Sequence, residues 1–171
     1  MRLSLTGKRW VYPQAQAADT RLPGIPNWME PVLTSRGVSS LEGLQHFLDP
    51  GLSRLPDPAL LHDIKQATER LHEAIVSGEP IAVYGDYDVD GVCSTALLVE
   101  FLRHCHAKVI FYIPDRCSEG YGLNQEAVRS LAKQARLLLT CDTGSTAVNE
   151  ITLANELGMQ VIVVDHHQVQ K

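Results

Sequence analysis

From residue 80 onward, short apolar runs alternate with longer stretches of mixed character. The runs cover 81–84, 108–113, 137–140 and 160–164. Each is nearly unbroken and rich in Val, Ile or Leu, as expected of strands buried on both faces rather than strands with one wet face. The intervening segments, 92–107, 124–135 and 145–157, are each long enough for a helix. Alternating β and α segments of this kind predict an α/β fold: a doubly wound, mostly parallel sheet with helices on both faces.

The pattern before residue 80 is different. Residues 1–35 carry Pro13, Pro23, Pro26 and Pro31 and read as an irregular segment, because proline breaks both helical and strand patterns. Trp10 and Trp28 are expected to anchor it by packing, with base stacking on a nucleic-acid strand as the alternative. Ser39 and Glu42 form a capping-box pattern ahead of Leu41, Leu44, Phe47 and Leu48, a short helix ended by Asp49-Pro50-Gly51. A second helix is expected from Asp57 as N-cap and Pro58 at its first position, with an apolar stripe of Leu61, Ile64, Ala67, Leu71 and Ile75 running to Gly78. The expected division is an irregular and helical extension over 1–56 and an α/β domain over 57–171.

Ligands of open parallel sheets bind beyond the carboxyl ends of the strands, and the polar residues of this chain gather there. The first strand runs into Asp86, Asp88 and Asp90, closed by Gly91; the second into Asp115, Arg116 and Gly120-Tyr121-Gly122; the third into Asp142; the fourth into Asp165-His166-His167. A single aspartate after a strand is often only a turn or cap residue, and Asp90 fits a cap for the following helix. The set is another matter, because carboxylates crowded on one edge raise one another's pKa unless a cation sits among them. Carboxylate and imidazole donors without thiolates favour Mn²⁺ or Mg²⁺, other first-row ions being possible. Acids in this number allow two ions, the usual device for phosphodiester cleavage, which activates water and stabilises charge on the phosphoryl oxygens. Arg116 is placed to grip a phosphate with its planar fork, the alternative being an ion pair with Asp115 or Glu119. Two other phosphate or metal devices are excluded. D-x-D-x-D-G at 86–91 opens like an EF-hand loop, but the twelfth position is Leu97 and a strand precedes it. No Walker-type phosphate loop occurs.

Composition adds boundaries. A net charge of −5 and a pI near 5.8 argue against a broadly basic nucleic-acid coat, although cations bound among the acids reverse the field locally. Four cysteines, at 93, 105, 117 and 141, never form C-x-x-C and read as reduced thiols. The opening residues lack the apolar run of a secretory signal and no stretch approaches a membrane span, so no membrane association and a cytoplasmic location are expected.

Four motifs, DYDVDG at 86–91, DRCSEGYGLN at 115–124, TCDTG at 140–144 and DHH at 165–167, resemble in order and spacing those of the DHH phosphoesterase superfamily. The GDYDVDG and EGYGLN versions, with SRGVSSLEGLQHFLDPGL before them, resemble the RecJ-type exonucleases that digest single-stranded DNA from 5′ to 3′. This resemblance implies that Asp86 and Asp88 are metal ligands, that Asp142 bridges two ions and that His166 binds the second. It implies that His167 contacts the substrate phosphate or assists the leaving group, with Asp165 orienting the pair. It also implies a single-stranded DNA substrate, a role in repair or recombination, and single-strand-binding or helicase proteins as partners. Rival expectations are a phosphodiesterase for short oligonucleotides or cyclic dinucleotides, and a non-catalytic binding protein of the same fold. Three departures are visible. Relatives continue past DHH into a further acidic ligand and a closing domain, so weak activity is expected of residues 1–171 alone. Thr143 stands where exonuclease relatives commonly have an apolar residue. Ala82 stands where manganese pyrophosphatases have a metal-binding His.

Overall fold

A computed structural model describes residues 4–9, 22–49 and 51–169. The chain divides into two compact units, Met1–Pro58 and Ala59–Lys171. In the second, four strands, β1 (Ile81–Gly85), β2 (Val109–Tyr112), β3 (Leu137–Cys141) and β4 (Gln160–Val164), form one sheet in the order β2-β1-β3-β4. Every pairing is parallel. The chain therefore steps from β1 to β2 on one side and returns across β1 to β3 on the other. That reversal opens a crevice between the carboxyl ends of β1 and β3, the place where ligands of such sheets bind.

The strand side chains alternate between two cores. Ile81, Val83, Leu137, Leu139 and Cys141 pack with Ala74 of helix α3 (Ile64–Ser77) and with Val99 and Leu102 of α4 (Val89–His104). Ala82, Tyr84 and Leu138 pack with Val128 and Leu131 of α5 (Gln125–Leu131) and Leu153 and Ala154 of α6 (Val148–Glu156). β1 and β3 are buried along their whole length, which explains their unbroken apolar sequence. Truncating a side chain such as Ile81 or Leu137 to Ala there costs about 2–5 kcal/mol.

The N-terminal unit holds α1 (Glu30–Thr34) and α2 (Leu41–Leu48) over a small core of Leu22, Leu33, Val38 and Leu44. Helix α1 falls in the segment expected to be irregular. Pro31 sits in its first turn, where a missing N–H costs no hydrogen bond. The cap of α2 is Ser40, whose hydroxyl accepts from the Gly43 N–H at 3.0 Å, rather than Ser39. Trp28 is 73% exposed and does not anchor the segment by packing; aliphatic side chains fill that core instead. Trp10, Pro13 and Pro50 lie outside the described residues. The helix expected from Asp57 starts later. Residues Pro58–Leu60 form a 3₁₀ turn, and Asp63 in the left-handed region (φ 55°) breaks the path before α3 begins at Ile64. Leu60 and Leu61 are exposed, so no burial drives the missing first turn. No helix among the described residues is long and apolar enough to cross a membrane.

Candidate metal centre

Asp86 follows β1 directly and is fully buried. It lies at the foot of α4 because two glycines allow the chain to double back. A Cβ on Gly85 would stand 1.8 Å from Thr95 Oγ1, and one on Gly91 would stand 2.3 Å from the Asp86 carbonyl oxygen. Glycine at both ends of GDYDVDG is thus a requirement of close backbone approach. Asp88 is the N-cap of α4, its Oδ1 accepting from the Gly91 N–H at 3.0 Å. Asp90, read from sequence as the cap, lies instead in the first turn of the helix with its side chain exposed. Its carbonyl accepts from the Ser94 hydroxyl. The helix begins three residues earlier than expected because the capping role belongs to Asp88.

Gly85 pairs with Cys141 at the ends of β1 and β3, so Asp86 and Asp142 leave adjacent strands side by side. Asp142 adopts the left-handed region (φ 61°), and its turn is closed by the Thr140 hydroxyl donating to the Thr143 carbonyl at 2.8 Å. Thr143, one of the departures from the family pattern, is itself buried in that turn. Asp142 Oδ1 accepts from His166 Nε2 at 2.9 Å, while its Oδ2 is buried without a partner. Both carboxylate oxygens of Asp86 are likewise buried and unpartnered. Ligand atoms of Asp142, His166 and His167 lie within 4.8 Å of one another.

The electrostatics single out Asp142. Burial pushes its carboxyl up, the facing Asp88 carboxylate adds to the rise, and His166 opposes it. Asp88 is held down by the Gly91 N–H, with a further contribution from Asp142. Two facing carboxylates thus ionise unequally in the absence of a cation. Three orphaned carboxylate oxygens in a buried crevice are the arrangement that a divalent cation completes, since unpaired buried acceptors are otherwise costly. Asp86, Asp88, Asp142 and His166 are oxygen and imidazole donors of the kind that suit Mn²⁺ or Mg²⁺, and the donor atoms close enough together to share one ion are those of Asp142, His166 and His167.

Beside this group stands a second one. Asp165, at the end of β4, accepts from the Ser145 N–H at 2.8 Å and from His167 Nδ1 at 2.7 Å. Burial raises its pKa, but those bonds outweigh it and leave the carboxyl well below the usual range. The Asp165 hydrogen bond in turn raises His167. Arg116 is exposed, and its guanidinium lies over the Tyr87 ring, 5.4 Å from the centroid. It pairs with neither Asp115, whose Oδ1 accepts from Cys117 and Ser118, nor Glu119, which is taken up by Tyr112, Asp115 and Asn124. The surface ion pair considered from sequence is absent, and among the described residues no carboxylate pairs with the Arg116 guanidinium.

Two residues missed by sequence reasoning join the site. Tyr121 stacks edge-on against Tyr87 (6.2 Å) and His167 (5.9 Å). Its hydroxyl pKa is raised by burial and by Asp86, Asp165, Asp142 and Asp88, which places it among the acids. An aromatic residue between glycines, or between two aspartates of a candidate site, was the available signal.

Residues 80–171 match the family described as DHH family, N-terminal domain. The chain belongs to the DHH family. Within it, this DHH chain is 43% identical over 138 residues to the single-stranded-DNA-specific exonuclease RecJ of Bacillus subtilis (strain 168), covering 80% of the chain and 18% of that protein. It is 37% identical over 155 residues to RecJ of Thermus thermophilus, covering 85% and 22%. Among solved structures, an exonuclease RecJ bound to manganese superposes with a TM-score of 0.63 at 41% identity, covering 68% of this chain and 29% of that one. The Thermus thermophilus RecJ in complex with Mn²⁺ gives 0.61 at 35% identity, covering 81% and 19%. The DHH chain spans 18% to 26% of the length of the curated RecJ relatives it matches. These likenesses agree with the superfamily and RecJ-type resemblance expected from the motifs and with the parallel α/β fold expected from the alternating apolar runs.

Proposed function

We propose that this DHH chain carries the metal-holding face of a Mn²⁺- or Mg²⁺-dependent phosphodiesterase of the RecJ type, which removes nucleotides from the 5′ end of single-stranded DNA. The observation that carries the reading is the set of orphaned oxygens on Asp86 and Asp142, at the crevice of a fold shared with RecJ proteins solved with manganese. A role in DNA repair or recombination in the cytoplasm, with single-strand-binding or helicase proteins as partners, is the cellular side of the same proposal.

In this reading Asp86, Asp88, Asp142 and His166 would hold the metal, Asp142 being the bridging candidate because it leaves the strand beside Asp86 and accepts from His166. A divalent cation bound there would activate water and offset charge on the phosphoryl oxygens. The chain's own groups do the rest. Asp165 commits Nδ1–H of His167 and leaves Nε2 to face the reacting phosphate. Arg116, with its guanidinium unpaired over Tyr87, binds a phosphate oxygen of the strand. The ring of Tyr121 and the guanidinium of Arg116 are both exposed, and both are accessible to an unpaired strand.

The test is release of mononucleotides from single-stranded DNA, in Mn²⁺, by protein carrying these residues, against the same protein with Asp142→Asn. Metal-dependent release from single strands but not duplex, lost in the variant, is expected. Equal release by the variant would overturn the reading, and cleavage restricted to dinucleotides would reassign the substrate to short oligonucleotides.

A further inference from the structure

Beneath the crevice, the core between α4 and the sheet holds one polar junction. Thr95, in the second turn of α4, is 2% exposed, while Val99 and Leu102 further along the same helix belong to the apolar core. Its hydroxyl donates to the Gly91 carbonyl at 2.7 Å, the ordinary return of a helical threonine to the residue four before it. What is particular is the second contact: Thr95 Oγ1 lies 3.3 Å from Sγ of Cys141, on β3, and that sulfur lies 3.7 Å from the Tyr84 carbonyl, on β1. A carbonyl can only accept, so with the Thr95 hydrogen given to Gly91 the thiol is left to donate, to Thr95 Oγ1 or to Tyr84.

Each of these contacts leads to an acid of the crevice. Cys141 is the last residue of β3 and directly precedes Asp142. Tyr84 and Gly85 end β1 and precede Asp86, and a Cβ on Gly85 would stand 1.8 Å from Thr95 Oγ1, so the hydroxyl is pressed against that strand end. Gly91 gives its N–H to Asp88 Oδ1 at 3.0 Å and its carbonyl to Thr95. One buried hydroxyl therefore meets the first turn of α4 and the ends of β1 and β3 where the chain leaves them for Asp88, Asp86 and Asp142. Both carboxylate oxygens of Asp86 and Oδ2 of Asp142 have no partner of their own, so their placement comes from the backbone under them.

We infer that Thr95 is a positioning residue for Asp86, Asp88 and Asp142, its hydroxyl joining α4 to the ends of β1 and β3 so that the three carboxylates stand together before a cation arrives. The consequence for metal affinity rests on the proposed function. The contact with Cys141 is read without metal, so failure of the metal centre and failure of the junction are separate results.

The experiment compares Thr95→Val, which keeps the shape of the side chain without its hydroxyl, with Thr95→Ser, which keeps the hydroxyl and loses a methyl from the core. Mn²⁺ affinity is measured by calorimetry, and stability by urea unfolding in EDTA, on the same proteins. Thr95→Ser should lower stability and keep the wild-type Mn²⁺ affinity, whereas Thr95→Val should weaken Mn²⁺ binding about tenfold or more, the loss that follows when support behind metal ligands is removed. Cys141→Ala should weaken it as well, and the Thr95→Val, Cys141→Ala double variant should be less impaired than the two single losses combined, because both remove one contact. In the metal-free chain the infrared S–H stretch of Cys141, assigned by its loss in Cys141→Ala, should move to higher wavenumber in Thr95→Val. Equal Mn²⁺ affinities for the Ser and Val variants would overturn the positioning role, and an unmoved S–H band with strictly additive losses would overturn the junction. A wild type that takes up no Mn²⁺ would overturn the proposed function instead, the S–H band still deciding the contact.

Discussion

Asp86→Asn should make the metal-free protein more stable and the metal-loaded protein less so. Asp86 is fully buried and both of its carboxylate oxygens lack partners. A buried unsatisfied group costs about 1–3 kcal/mol, more when charged, and an amide of the same shape removes the charge without opening a cavity. The gain in the variant is taken as about 1–3 kcal/mol. For a chain of this size each kcal/mol moves the melting temperature about 2–4 °C, giving a rise of about 2–12 °C in chelator. Manganese at a thousand times its Kd should stabilise the wild type by about 4.1 kcal/mol, or about 8–16 °C, and the variant by much less. The order of the two proteins should therefore reverse between EDTA and Mn²⁺, followed by calorimetric or circular-dichroism melts. An Asn variant less stable in EDTA, with the same manganese shift as wild type, would refute the view that Asp86 is kept unsatisfied for a cation.

Other outcomes follow from the same structure. Gly91→Ala brings a Cβ to 2.3 Å from the Asp86 backbone; it should destabilise the chain by about 1–3 kcal/mol or more in urea unfolding and weaken manganese binding as the loop shifts. Arg116→Ala should leave manganese affinity unchanged and lower single-stranded DNA affinity by about 1–2 kcal/mol, with a shallower salt dependence in a filter-binding or anisotropy assay. Tyr84→Phe removes the bond to the Gly122 carbonyl and should cost about 0.5–1.5 kcal/mol in denaturant unfolding. Glu119 is held below its usual pKa first by the Tyr112 hydroxyl and then by the Asp115 N–H. A depressed carboxylate stabilises the fold above its unfolded pKa of about 4.3 and loses that contribution as pH falls through the lower folded value. Glu119→Gln should remove this part of the acid limb in pH-dependent unfolding, and an unchanged limb would contradict it.

The strands were legible nearly to the residue, because β1 and β3 are buried on both faces and carry no charged position to blur their ends. The candidate ligands were legible too, since each strand end carries its acid or imidazole directly after the apolar run. Order was not. Nothing in the sequence says that β3 lies beside β1 with Gly85 against Cys141, the pairing that brings Asp86 and Asp142 together. Helix starts failed where two aspartates compete for one role: Asp88 and Asp90 are both capping residues by type, and only the close approach of Gly91 to Asp86 selects Asp88. Asp63 hides in the same way, since an apolar stripe passes through it but its left-handed backbone does not. Tyr121 escaped because its placement depends on bonds to Glu119 and Gly122 that come from residues before and after it and from a buried tyrosine on β1.

The central claim is that the acids at the β1 and β3 ends hold a divalent cation. Calorimetric titration of Mn²⁺ into the metal-free chain, alongside Asp142→Asn, tests it most directly. Saturable binding by the wild type is expected, weakened at least about tenfold by the loss of a single carboxylate whose Oδ2 is buried without a partner. Superimposable curves for the two proteins would contradict it.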